Sequence, residues 1–161
     1  GFHAHPVHTV DYLKEVVKPK IAEGAQRAGR SLDGFEIYAP VFVITGETQA
    51  ETDQLDQIVR GQIAFYGSTP TYASVFEFHG FPELGRQLGN LMREGRMKEM
   101  GKLIPDDLVE KIAIVDQPGN IGRRLRERYE GLLQRVALYR FMGGDGEFRR
   151  IGELIEQVHA A

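Results

Sequence analysis

The stretch FEIYAPVFVITG, residues 35–46, constrains the fold more than any other part of this chain. Its apolar side chains occupy successive positions and fall on both faces of an extended strand. Such a strand is stable only when layers cover it on both sides, which is the situation of a parallel sheet wrapped in helices. The chain must therefore supply cover for two faces.

The flanking segments supply it with helical spacing. From Thr9, an N-cap residue type, Val10, Leu13, Val17, Ile21, Ala25 and Ala28 recur at helical intervals and stop at Gly29, a C-cap signal. Pro19 lies inside this run and predicts a kink or a split, because proline has no amide proton and crowds the preceding turn. Ahead of it, Phe2–His5 reads as a strand end closed by Pro6. Thr48 and Glu51 form a capping box for a long amphipathic helix through Leu55, Ile58, Val59 and Ile63. Between Gly67 and Pro105 the pattern becomes irregular, with helix starts at Thr69-Pro70, Phe81-Pro82 and Ile104-Pro105. The segment AIVDQPGNIGRRLRERY gives a short apolar stretch, a Pro-Gly turn and a basic helix. RVALYRF then reads as a strand, GGDG (143–146) as a loop and Phe148 to Val158 as a terminal helix. The order strand, helix, strand, long helical excursion, helix, strand, helix predicts parallel neighbours in an α/β fold. Three parallel strands are fewer than a complete doubly wound sheet or closed barrel contains.

Composition narrows the function classes. With 161 residues, 42% of them hydrophobic, the chain can build one sizeable core. A net charge of -3 gives no field suited to nucleic acid or an anionic membrane, and no apolar run is long enough to span a bilayer. Cysteine is absent, which excludes disulfides and thiolate-bound zinc and suits a cytoplasmic location. A start at Gly-Phe in place of Met predicts that a preceding segment has been removed. No nucleophile elbow, phosphate-binding lysine loop, dinucleotide glycine fingerprint or paired-carboxylate constellation is present.

The segments GFHAHPVHT, YLKEVVKPKIAEGAQRAGRS, FEIYAPVFVITG, QIAFYGSTPTYASVFEFHGF and LRERYEGLLQRVALY, taken in order, resemble the C-terminal part of luciferase-like monooxygenase family proteins, above all the deazaflavin-dependent oxidoreductases. The resemblance covers nearly the whole chain. It implies the C-terminal portion of a (β/α)8 TIM barrel, about strands 6 to 8, as a single partial domain over 1–161. It also implies that 67–104 is the family's helical insertion before the last strand, whose crowded aromatics read either as an ordinary helix-turn-helix core or as a lid over an apolar, planar ligand. The cofactor would be coenzyme F-420, a deazaflavin, or FMN, with no metal. The implied function is that of a C-terminal fragment of a flavin- or deazaflavin-dependent oxidoreductase or monooxygenase for a small organic substrate. It would be inactive without an N-terminal half, with which, or with a second copy, it would pair.

Candidate site residues follow from strand alternation and that frame. His3 and His5, two apart, share a face, and in a barrel both would face the lumen near its C-terminal mouth. They line a cofactor or substrate cavity, make structural hydrogen bonds, or, in a metal-dependent hydrolase, ligate zinc, for which no third ligand stands nearby. Tyr66, Ser68, Thr69 and Tyr72 join aromatic surface to hydroxyls at a turn in the insertion, and the expectation is that they face the ligand from a lid whose short helices bury little and open readily. Tyr139 and Arg140 end the last strand, and one of them should reach the lumen. The GGDG loop could hold a phosphate or be a turn. A non-catalytic binding or assembly domain remains a further reading.

Overall fold

The computed structural model describes residues 1–139 and 147–160, apart from the side chains of residues 147, 148, 150, 159 and 160. The two-faced strand is its centre. β2 (Ile37–Ile44) pairs in parallel with β1 (Phe2–His3), with β4 (Arg135–Tyr139) and, through Val43 and Ile44, with a two-residue strand β3 (Ile114–Val115). Neighbouring carbonyls of a strand point to opposite edges. Tyr38 O accepts the Ala4 N–H and Ile37 O accepts the Gln134 N–H, so β1 and β4 flank β2 on either side.

Each face of β2 has its own core. Ala39, Val41 and Val43 pack with Ala4 and with an outer layer that contributes Leu13, Leu125 and Tyr129. That layer is built from α1 (Val10–Tyr12), the π-helical turn Leu13–Val17 that leads into α2 (Lys18–Arg27), and α8 (Ile121–Tyr129), with α9 (Glu147–Ala160) adding Leu154. Phe42 and Ile44 point the other way, into a core shared with α3 (Gln49–Gly67) and the helices that follow it. Both faces of β2 are closed to solvent from Val41 to Ile44, each at 0% exposure, as the sequence requires of it. Full burial of Phe42 alone is worth about 1.5–3 kcal/mol.

The caps follow the sequence closely. The Thr9 hydroxyl accepts the Tyr12 N–H, and the Thr48 hydroxyl accepts the Glu51 N–H. The Glu51 carboxylate takes the Glu47 N–H, one residue earlier than a standard capping box. Gly29 has φ of 62° and lets Arg30 N–H reach back to Ala25 O, which closes α2. Pro19 does not split the helix. The turn before it, Leu13–Val17, widens to a π-helix, so the chain absorbs the missing donor and runs on into α2 with Pro19 in its first turn.

The excursion after α3 is a built layer. It runs through a 3-10 turn (Pro70–Tyr72), α4 (Ala73–Phe78), α5 (Leu84–Arg93), α6 (Met97–Met100), a second 3-10 turn (Gly101–Leu103) and α7 (Asp106–Ile112). Each of these short helices buries only a few apolar side chains, as expected, but the buried ones join: Phe76, Leu88 and Leu108, with Ile104 from the turn before α7, are at most 2% exposed and share one core with Phe42 and Ile44. Helices too short to be stable alone combine here into one apolar body. Two features hold it in place. At Gly67 an added Cβ would stand 2.2 Å from Phe76 Cε2, so glycine is what lets α4 close onto α3. Arg60 spans the layer, pairing with Asp56 at 2.6 Å and Asp106 at 2.5 Å and donating to Ile104 O.

Candidate functional site

The excursion covers the C-terminal end of β2 on the face that carries Phe42. On that face the chain gathers rings from four separate segments. His3, at the end of β1, lies 4.4 Å from Tyr38 between ring centroids. His5, just past β1, lies between two tyrosines of the helical layer, 4.4 Å from Tyr66 at 81° and 4.3 Å from Tyr72 at 37°. Tyr139, at the end of β4, packs 4.9 Å from Phe42 and brings its hydroxyl to 3.4 Å from that of Tyr66. Strand alternation explains the convergence: Tyr139 is in register with Phe42, and the odd positions of β2 face the outer helices.

His3, His5, Tyr66, Tyr72 and Tyr139 are thus brought together. Ser68 and Thr69 are placed differently. The Ser68 hydroxyl donates to Phe65 O within its own helix end, and Thr69, exposed, opens the following 3-10 turn. Arg140 and the GGDG loop lie outside the described residues. Tyr38 and Phe42 belong to the same wall and escaped the sequence reading. The even-numbered face of β2 was the available signal, but its side could be assigned only once the register with β4 was known.

Protonation at the wall is set by burial and by neighbours. Burial, then the nearby His3, lowers the pKa of His5. The hydrogen bond to Tyr66, with burial, raises that of Tyr139. The third histidine of the opening segment has another role. His8 is 3% exposed, donates from Nδ1 to His5 O at 2.7 Å and accepts at Nε2 from the Tyr129 hydroxyl at 3.1 Å. Burial pushes His8 down to about 4 and Tyr129 up to about 12. His8 therefore pins the loop after β1 to α8 and holds the backbone on which His5 stands.

A latch ties the helical layer to the first helix. Thr9 Oγ1 lies 2.7 Å from His79 Nε2, the Tyr12 and Ser74 hydroxyls are 2.9 Å apart, and Tyr12 meets Phe78 edge-on at 5.5 Å. Among the described residues no group of three or more His, Cys, Asp or Glu is placed to hold a metal ion. Among them, too, no helix is long and apolar enough to cross a membrane.

Comparison with known proteins agrees with this architecture. A structure of coenzyme F-420 dependent tetrahydromethanopterin reductase from Methanopyrus kandleri superposes with a TM-score of 0.64 at 25% identity, covering 95% of this chain and 41% of that one. The 5,10-methylenetetrahydromethanopterin reductase of Methanopyrus kandleri is 28% identical over 134 residues, which are 83% of this chain and 37% of the reductase. Uncharacterized proteins of Mycobacterium tuberculosis and Mycobacterium bovis are each 40% identical over 136 residues, covering 84% of this chain and 40% of the relative. The chain spans about two fifths of the length of the relatives it matches. The profile of the luciferase-like monooxygenase family matches residues 1–135, and the chain belongs to that family.

Proposed function

We propose that this chain forms part of the active-site wall of an oxidoreductase that uses a deazaflavin of the coenzyme F-420 type on a small organic substrate. The observation that carries the reading is the meeting of His5, Tyr66, Tyr72 and Tyr139 at the C-terminal end of parallel strands, under a helical layer. Its likeness to a reductase described as coenzyme F-420 dependent favours the deazaflavin over FMN. In this reading β1, β2 and β4 are the sixth, seventh and eighth strands of a (β/α)8 barrel, and residues 67–104 form its lid. Among the described residues β1 and β4 each pair only with β2, so each offers an outer edge to further strands. The partner is an N-terminal half-barrel or, failing that, a second copy of this chain.

The residues suit such a cofactor. Tyr66, Tyr72 and Tyr38 present flat aromatic surface for a planar ring system, and phenol and imidazole groups supply hydrogen bonds at its rim. When bound, the deazaflavin supplies hydride chemistry, and the protein's part is to bind, orient and exclude water. The hydroxyls of Tyr66 and Tyr139 hold each other in place. Phe42 backs Tyr139, and the packed helical layer keeps solvent from that side. Titrating the full-length polypeptide with coenzyme F-420 and with FMN tests the reading. Saturable binding of coenzyme F-420 at least tenfold tighter than of FMN is expected, and equal or tighter binding of FMN would overturn the choice of cofactor.

A further inference from the structure

The His5 ring is fixed more tightly than a cavity-lining side chain needs to be. Its Nδ1 lies 3.1 Å from the Val7 backbone nitrogen and accepts that N–H. Neutral imidazole has one donor and one acceptor nitrogen, so acceptance at Nδ1 places the proton on Nε2. Tyr66 and Tyr72 clamp the ring from two directions, which fixes its plane. Val7 is itself 2% exposed, so the donor that sets the tautomer is anchored in the core, and the His8 bond to His5 O steadies the same turn. Nε2, on the side of the ring away from the backbone, has no hydrogen-bond partner among the described residues.

We infer that His5 is a specificity-determining residue: it presents a single, directed, neutral Nε2–H donor at the mouth and selects a ligand group that accepts a hydrogen bond, such as the carbonyl edge of a planar heterocycle. With Nε2 already protonated and Nδ1 engaged by the backbone, His5 is not a general base toward the ligand. The same arrangement disfavours a cationic group at this position, since an N–H dipole would point at it. The inference rests on the reading that the mouth binds a deazaflavin, and it adds which atom selects the ligand and by what polarity.

Two measurements test it. In the ligand-free full-length polypeptide, ring nitrogen NMR should show His5 with a pyrrole-type Nε2 and a pyridine-type Nδ1; the opposite tautomer would overturn the inference. In the full-length polypeptide, calorimetric titration with coenzyme F-420 should find His5→Leu weakened about tenfold, the worth of one buried hydrogen bond. His5→Gln, whose amide N–H reaches near the Nε2 position, should stay within about threefold of the parent. Thermal melts of both variants separate lost binding from lost folding. If the parent binds coenzyme F-420 and His5→Leu binds it equally well, the inference fails while the proposed function stands. If the parent does not bind it, the functional reading fails and takes the inference with it.

Discussion

Substituting His8 by Asn should flatten the acid dependence of this protein's stability. In the native fold the His8 ring is buried and neutral, donating to His5 O and accepting from Tyr129, and its pKa is pushed down from the ordinary 6.5 to about 4. The unfolded chain takes up the proton below about pH 6.5, whereas the native chain does not until about pH 4. Stability from this residue is therefore fully present above pH 6.5 and is lost as pH falls toward 4. The whole effect is on the order of 3 kcal/mol, and about 2 kcal/mol of it falls between pH 8 and pH 5. Asn keeps an amide donor near the Nδ1 position and carries no titrating ring, at a constant cost of about 1–3 kcal/mol for the lost Tyr129 contact. Urea denaturation of both proteins at the two pH values gives the difference directly. The parent should lose about 2 kcal/mol more than the variant, or about 4–8 °C in melting temperature. His5 and His79 are also shifted down and titrate in both proteins, so they cancel in the comparison. An equal loss in parent and variant would refute the assignment of a buried neutral His8.

Other consequences follow from packing. Gly67→Ala drives a Cβ to 2.2 Å from the fully buried Phe76 ring and should cost about 1–3 kcal/mol in chemical denaturation. Gly24→Ala, in the interior of α2 with nothing within 4 Å, should instead gain about 0.5–1 kcal/mol. His79→Ala removes the contact with Thr9 that latches α4 to the first helix, and amide exchange in α4 should quicken about fivefold while α8 is unchanged. Equal acceleration in both helices would mean that His79 stabilises the whole fold and is no local latch.

How much of this was legible before the structure depended on the range of the signal. β2 declared itself because two apolar faces within twelve residues, 35–46, leave no other arrangement, and the Thr9, Thr48 and Gly29 caps are set by chemistry within a few positions. Part of the ring cluster was legible for the same reason. His3 and His5 share a face by period-two alternation, and Tyr66 and Tyr72 stood out as aromatics at a turn. The partner of His8 was not, since Tyr129 is 121 positions away and nothing local in either residue points to the other. The core of the helical layer was hidden because helices of four to ten residues show too little periodicity to reveal which faces meet. β3 is too short to leave a pattern. Ser68 looked like a ligand group by residue type, but at a helix end its hydroxyl is taken by the carbonyl of Phe65.

In the proposed function, the rings gathered from β1, β2, the helical layer and β4 form one wall of a deazaflavin site. A crystal structure of the full-length polypeptide with coenzyme F-420 tests it most directly. The ring system of the cofactor is expected in van der Waals contact with Tyr66 or Tyr72, with His5 Nε2 at about 3 Å from an acceptor atom of the ligand. A cofactor bound elsewhere in the barrel, with His5, Tyr66, Tyr72 and Tyr139 in their present contacts and apart from both cofactor and substrate, would contradict it.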